Sequence, residues 1–315
     1  MAPDGAGFHH AALFYRGLDD LLDRAVPFLR DGAHEGAVAL VVLDPAKNEA
    51  IRAALGTDAG DVVFADMSEI GHNPARIIPA LQDFVDDHAG SGRPLRAIGE
   101  PIGPHRRGAV LDECHRHEAL LNVAFAGEAD FQLLCPYDAW ALDQQVLAGA
   151  RRTHPMLVDD EIARSDAYEP IDHRSPFLDP LPEPTAAVAE MGFSSSELGA
   201  LRRFVEREAA RAGIAETRTA DLVLAVNEIA TNSVQHGGGR GLARVWHDGQ
   251  TVACEVRDGG LIDQPLVGRV VPTSDADRGR GLWMANQLCD LVQLHSSPVG
   301  TAVRLHVLAP AGAAA

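Results

Sequence analysis

The chain has almost no lysine. Lys47 is the single one in 315 residues, and every other cationic side chain besides histidine is an arginine. That scarcity excludes two large classes of phosphate chemistry. A P-loop needs Gly-Lys followed by Ser or Thr, so that an ammonium reaches the phosphates, whereas Lys47 sits in Pro-Ala-Lys-Asn. A eukaryotic-type kinase needs a strand lysine together with its catalytic-loop and metal-binding signatures, and none is present. A nucleotide site in this chain has to work without a phosphate-loop lysine. Formal net charge is -18, which argues against nucleic acid or an anionic membrane as a general partner. Cys114, Cys135, Cys254 and Cys289 show no Cys-x-x-Cys spacing and read as buried free thiols. No apolar run approaches the roughly 18 residues of a membrane span. The opening Met-Ala-Pro-Asp-Gly lacks the basic start and apolar core of a signal peptide, so a cytoplasmic location is expected.

What is present suffices for about two domains at roughly 100–200 residues each, since 46% of residues are hydrophobic. Residues 8–156 alternate strand and helix patterns. Ala37–Leu43 is a continuous apolar run, as expected of a strand covered on both faces. Asn73-Pro74 has the order of a helix cap followed by a first-turn proline, and Pro136 is expected to close the strand that begins at Phe131. Alternating β and α predicts a mostly parallel sheet with helices on both faces. Residues 157–192 differ: the stretch 152–192 holds six of the 19 prolines and nine acidic residues, and it reads as an extended, acidic interdomain linker. A second domain is expected over 193–308. It opens with Ser194-Ser-Ser-Glu197, which has capping-box spacing. Asp248-Gly249 marks a hairpin. The long segment 261–278 reads as a lid.

The most informative run is Asp221–His236. Glu228 and Asn232 stand four apart on one helical face, and such a pair can hold hydrated Mg²⁺ through oxygen. Alone, it is equally a solvated polar pair. Three further elements follow in order: Asp258-Gly259-Gly260 at the end of an apolar strand, Gly279-Arg280-Gly281 before a helix, and Gly300-Thr301 at a strand start. A strand-end carboxylate can accept from an exocyclic amine, glycines admit a base, and helix N-terminal amides can hold phosphate. Arg269, Arg278 and Arg280 are candidate positive charges in place of a lysine, although each is also what a solvated surface arginine looks like.

The ordered set resembles the ATP-binding domain shared by gyrase, histidine kinases and MutL, known as the GHKL or Bergerat fold, an α/β sandwich. Within it, residues 193–308 look most like the RsbW-like anti-sigma-factor serine kinases. The resemblance implies ATP and Mg²⁺ as cofactors, Glu228 as general base and Asn232 as the Mg²⁺ ligand. It implies Asp258 as the adenine acceptor, with Gly260, Arg278, Gly279, Arg280, Gly281 and Thr301 around the nucleotide. Ile262 departs from the pattern, standing where the family has the second Gly of Asp-x-Gly-x-Gly, which predicts a stiffer lid.

In the first half, His9–Tyr15, Asn73–Arg76, Ile98–Glu100, His117–Asn122 and Leu134–Asp138 resemble the MEDS (DcmR-like) sensory domain. That resemblance implies a RecA-like, Rossmann-like α/β architecture without a phosphate loop. Glu100, Glu118 and Asn122 are the candidates for a polar sensory pocket, Glu100 because open parallel sheets bind ligands at the carboxyl ends of their strands. A solvated loop carboxylate would look the same. Adjacent His9 and His10 point to opposite strand faces, and His115 and His117 do not share a helix face. The histidines therefore read as hydrogen-bonded or surface groups, with no metal.

The expected function is a signalling regulator: an ATP-binding anti-sigma factor and protein-serine kinase that phosphorylates an antagonist protein under N-terminal control. Expected partners are a sigma factor or its antagonist, a small molecule in the N-terminal domain, and a second copy of the chain as a homodimer. A non-catalytic, ATP-responsive binding module is the alternative. An autophosphorylating histidine kinase fits less well, because no histidine lies between His173 and His236.

Overall fold

The computed structural model describes residues 7–128, 130–171, 177–249, 251–272 and 279–309. The chain divides into two compact units, residues 1–171 and 172–315.

The first unit runs β1 (Phe8–Tyr15), α1 (Gly17–His34), β2 (Val38–Leu43), α2 (Pro45–Leu55), β3 (Val62–Asp66) and α3 (Met67–Ile70). It continues through α4 (Ile77–Asp87), β4 (Leu95–Gly99), α5 (Gly108–Ala124), β5 (Phe131–Asp138), α6 (Gln144–Thr153), β6 (Met156–Val158) and β7 (Ile162–Arg164). The sheet order is β3-β2-β4-β5-β1-β6-β7, and every pairing is parallel except β6 with β7. The apolar run over β2 is buried at every position, as a two-sided strand requires. Strand periodicity sorts β1 by face. Ala11, Leu13 and Tyr15 pack with Leu21, Ala25 and Leu29 of α1 and Ile51 of α2. His10, in the other register, faces α5. Full burial of each Leu or Ile in that cluster contributes about 1.5–3 kcal/mol. The cap at Asn73 forms: its side chain accepts from the Ala75 amide at 3.0 Å and starts a short 3-10 turn that leads into α4.

Pro136 does not end its strand. β5 continues to Asp138, with Pro136 opposite Leu13 of β1. The pairing of β4 stops at Leu134, so beyond that point β5 is bonded on one side only and a residue without an N–H is tolerated.

The second unit holds β8 (Ala189–Ser194), α7 (Leu198–Arg211), α8 (Glu216–His236), β9 (Arg240–His247), β10 (Thr251–Asp258), α9 (Arg280–Leu288), β11 (Leu291–Ser297) and β12 (Gly300–Leu308). Its sheet is antiparallel throughout, in the order β11-β12-β10-β9-β8. Val252, Cys254 and Val256 of β10 face a core built from α7, α8 and α9. On the opposite face Glu255, fully buried, is directly across from Arg244 and Arg304 and accepts hydrogen bonds from both and from Arg257. Three guanidinium partners are what make a buried carboxylate tolerable there. The capping-box residues meet in a different way from a full box. The Glu197 carboxylate accepts from both the Ser194 amide and its hydroxyl, but the helix begins only at Leu198, with Glu197 at the cap position and no side-chain cap bond.

The stretch read as a linker contains ordered structure at both ends. β6 and β7 lie in the first sheet. From Phe177 onward the chain straps onto the second unit: Phe177 is buried in its core, its carbonyl accepts from the Ser296 amide, and the Pro182 carbonyl accepts from Arg304. Prolines suit such a strap because it bonds through side chains and carbonyls more than through its own amides.

Candidate functional site

In the second unit, α8 and the ends of β10 and β12 surround a pocket of about 440 Å³, within the range of roughly 300–1,000 Å³ common for small-molecule sites. Of the residues singled out in the sequence, Asn232, Asp258, Gly260, Gly279 and Thr301 line it.

The Asp258 carboxylate is fixed on two sides. Oδ2 accepts from the Ser233 hydroxyl at 2.6 Å and Oδ1 from the Gly260 amide at 2.7 Å. Each oxygen has a second lone pair, so the group keeps acceptor capacity toward the pocket. Two glycines make this placement possible. A Cβ on Gly237 would lie 2.7 Å from the Asp258 Cβ, and one on Gly300 would lie 2.5 Å from the Asp258 carbonyl oxygen. Gly300 also has φ +140°, a conformation that side chains rarely adopt.

The loop after β10 is held by a chain of hydroxyls. The Ile262 amide donates to Ser296 Oγ at 2.7 Å, Ser296 and Thr301 hydroxyls lie 2.8 Å apart, and Thr301 donates to the Gly260 carbonyl at 2.9 Å. Because Thr301 donates onward, Ser296 donates to Thr301. Among the described non-glycine residues only Asp130 has positive φ, so Ile262 needs no glycine-like backbone, and its side chain packs on the core.

Gly281 explains how α9 reaches α8. A Cβ there would be 2.6 Å from Asn232 Nδ2 and 3.4 Å from the Glu228 Cβ. The helix start is set by Gly279, with φ +93°. Glu228 is half-buried and does not line the pocket; it stands one turn before Asn232 on α8. Arg280 is exposed, Arg269 is buried, and Arg278 lies outside the described residues. Sequence reasoning missed Ser233. Its signal was a hydroxyl on the apolar stripe that Val226, Ile229 and Ala230 define on α8.

In the first unit the three sensory candidates separate into two places. Glu100, at the carboxyl end of β4, accepts from Tyr15 at 2.6 Å and pairs with Lys47. This is where β2 and β4 send their connections in opposite directions, the expected crevice of an open sheet. Glu118 and Asn122, one turn apart on α5, instead meet His10. Tyr15 lies five positions beyond His10 on β1, about 16 Å at strand rise and on the opposite face, so the candidates form no single pocket.

The Glu118 cluster is closed. His10 Nε2 and His154 Nε2 each lie 3.2 Å from Glu118 Oε2, and Cys135 Sγ lies 3.4 Å from His10 Nε2. All four side chains are buried. Burial, aided by His154, lowers the His10 pKa to about 4. Burial alone would raise Glu118, but hydrogen bonds and charge from the two imidazoles, when they carry a proton on Nε2, hold it well below the usual carboxylate range. Pairwise reading of His9 with His10 and of His115 with His117 could not reveal this cluster, because its members come from β1, α5, β5 and the start of the α6–β6 connection.

Residues 9–155 match the family model of the MEthanogen/methylotroph, DcmR Sensory (MEDS) domain, and residues 194–307 match that of the histidine kinase-like ATPase domain. No curated protein matches the chain. Among solved structures it is similar to the RsbU and RsbW domains of a Mycobacterium tuberculosis protein, at 20% identity and a TM-score of 0.29, over 38% of this chain and 32% of that one. The match thus spans about a third of that chain.

Proposed function

We propose that this chain, a MEDS sensory domain joined to a histidine-kinase-like ATPase domain, is a signalling regulator whose second half binds Mg²⁺-ATP and transfers phosphate to a serine of a partner protein. The observation that carries the reading is the fixed Asp258 carboxylate facing a pocket cleared by Gly237, Gly260 and Gly300. Pre-set acceptor geometry of this kind suits an exocyclic amine on a flat base. The residues fit ATP: Asp258 would take the adenine amino group, Thr301 and Gly260 the floor beneath it, and the Gly279 turn at the start of α9 the phosphates. Asn232 would contribute an oxygen to Mg²⁺. ATP supplies the transferable phosphoryl group when bound.

The chain's own work is placement and proton transfer, which dominate this chemistry. Glu228, half-buried beside the pocket, would accept the proton of the attacking serine hydroxyl. Gly281 lets α9 close on the Glu228–Asn232 face. Ile262 is compatible with the reading, since its backbone is ordinary and its amide is bonded. The partner class follows the serine-kinase resemblance: an antagonist protein, with a sigma factor as the regulated target. Titration calorimetry with Mg²⁺-ATP, then transfer of labelled phosphate to a candidate antagonist, tests the proposal. Absence of ATP binding at millimolar nucleotide would sink it. Binding without transfer to any partner would leave the ATP-responsive binding module in its place.

A further inference from the structure

The closed cluster in the first unit has a feature that a hydrogen-bonded core network of neutral imidazoles does not explain. His154 Nδ1 faces the Ala150 carbonyl at 2.8 Å, and a carbonyl only accepts. His154 therefore carries its proton on Nδ1. Asn122 Nδ2 donates to the Thr153 carbonyl at 2.8 Å, which fixes the amide so that Oδ1 faces His10 Nδ1 at 3.1 Å. His10 also carries its proton on Nδ1. In their neutral form both rings then turn bare Nε2 lone pairs inward, at 3.2 Å from the same carboxylate oxygen, and only a further proton on a ring gives Glu118 an N–H donor. Glu118 Oε1 has no hydrogen-bond partner, and neither does His154 Nε2. Two lone pairs, a carboxylate and a thiol converge where no water enters, and all four donor atoms lie within 4.8 Å of one another. With neutral rings such a set repels itself unless a further proton or a metal cation sits among them.

We infer that His10, Glu118, Cys135 and His154 form a buried binding site for a divalent transition-metal ion of the zinc class. The donor set is two imidazole nitrogens, one thiolate and one carboxylate. That is a borderline-soft mixture suited to Zn²⁺ and its neighbours, and unsuited to Mg²⁺ or Ca²⁺. The spacing agrees. Tetrahedral bonds of about 2.0–2.3 Å put ligand atoms roughly 3.3–3.8 Å apart. Three of the six edges, at 3.2, 3.2 and 3.4 Å, are close to that span, and all six lie within 4.8 Å. The outer hydrogen bonds are those that metal-bound histidines make, with the distal N–H given to a carbonyl or amide oxygen. On binding, the Cys135 proton leaves to solvent and the thiolate becomes a ligand.

Four protein ligands and full burial leave no open coordination position, so the site holds its ion rather than activating water. It ties β1, α5, β5 and the α6–β6 junction to one point. Occupancy would set how firmly the sensory half is closed, which makes the ion itself a candidate input. None of this depends on the ATP reading of the second half.

Cobalt is the probe. The purified full-length chain is stripped with chelator, loaded with Co²⁺, and its metal counted by mass spectrometry. The expected result is about one ion per chain, intense tetrahedral d–d bands, and a sulfur-to-cobalt charge-transfer band. Zn²⁺ should displace the cobalt and raise the thermal midpoint over the stripped chain. Cys135→Ser should abolish the charge-transfer band, His154→Gln should reduce bound metal at least tenfold, and Cys114→Ser should change neither. Absence of stoichiometric metal and of d–d bands in the wild-type chain would overturn the inference and leave a hydrogen-bonded network. So would bands that survive both Cys135→Ser and His154→Gln. If those variants do not fold, the wild-type count and spectrum decide.

Discussion

Two carboxylates organise the two halves of this chain, and their surroundings differ in one respect that matters. Glu118 is enclosed by His10, His154 and Cys135, all buried. Asp258 is held just as firmly, by Ser233 and the Gly260 amide, yet it opens on a pocket of about 440 Å³. Side chains close the first site, whereas glycines keep the second clear. A closed donor set retains what it binds; an open one exchanges it. That contrast fits the proposed division of labour, a sensory half with a long-lived state and a half that binds and turns over ATP.

The sharpest test of the open site is its proposed chemistry. Glu228→Gln keeps size and removes the base. Phosphate transfer to an antagonist should fall by about 10²-fold or more, with ATP affinity nearly unchanged because Glu228 does not line the pocket. Undiminished transfer would take Glu228 out of the mechanism. Next in size is Asp258→Asn, which should weaken ATP by about 1.5–3 kcal/mol, the range for a hydrogen bond to a charged group. Calorimetry giving equal affinities for variant and wild type would remove Asp258 from base recognition.

Glycine substitutions break the comparison at the level of packing. An alanine Cβ at Gly300 would meet the Asp258 backbone carbonyl at 2.5 Å, and one at Gly149 of α6 would come at least as close to the His115 ring, through Cε1. Backbone cannot step aside, and Gly300 has φ +140°. An imidazole can rotate, and alanine suits a helix better than glycine. Gly300→Ala should destabilise its unit by about 1–3 kcal/mol, and Gly149→Ala clearly less, in urea melts. Equal costs would show that the glycines around Asp258 are not there to clear the site.

How much of this was legible in the sequence follows the same division. The open site was written in local motifs. Asn232, Asp258, Gly279 and Thr301 each sit in a short recognisable string, and the structure brings them to one pocket. Their supports were less visible: Ser233 is a lone hydroxyl beside the apolar residues of α8, and Ser296 belongs to no motif. The parallel sheet was legible because strands buried on both faces leave continuous apolar runs such as β2. The closed cluster was not legible. His10 and Glu118 are 108 residues apart, and only the order β5-β1-β6 brings Cys135, His10 and His154 together. Prolines misled twice. Pro136 was expected to end β5 and lies within it, since its neighbour β4 has already stopped pairing. The proline-rich stretch gave no hint that Phe177 enters the second core.

The smallest expected effect lies on that strap. Glu183 accepts from Arg257 at 2.6 Å and from Arg244 at 2.9 Å, and these two guanidiniums lower its pKa from 4.5 to about 2. A carboxyl depressed in the folded chain binds protons less readily there than in the unfolded one. Its contribution to stability is therefore complete above about pH 4.5, and it is lost as pH falls through about 2. The ionised group stands in solvent, so salt screens it and the gain is small. Glu183→Gln should melt slightly below the wild type at neutral pH and low salt. The gap should narrow once pH drops under 4.5, and it should also narrow in high salt at neutral pH. No such variant is expected to alter metal content in the first unit or ATP affinity in the second, because Glu183 touches neither site. A melting gap that stays constant across the acid window would mean that the strap is held by Phe177 in the core and the Pro182 carbonyl on Arg304, with Glu183 contributing nothing measurable.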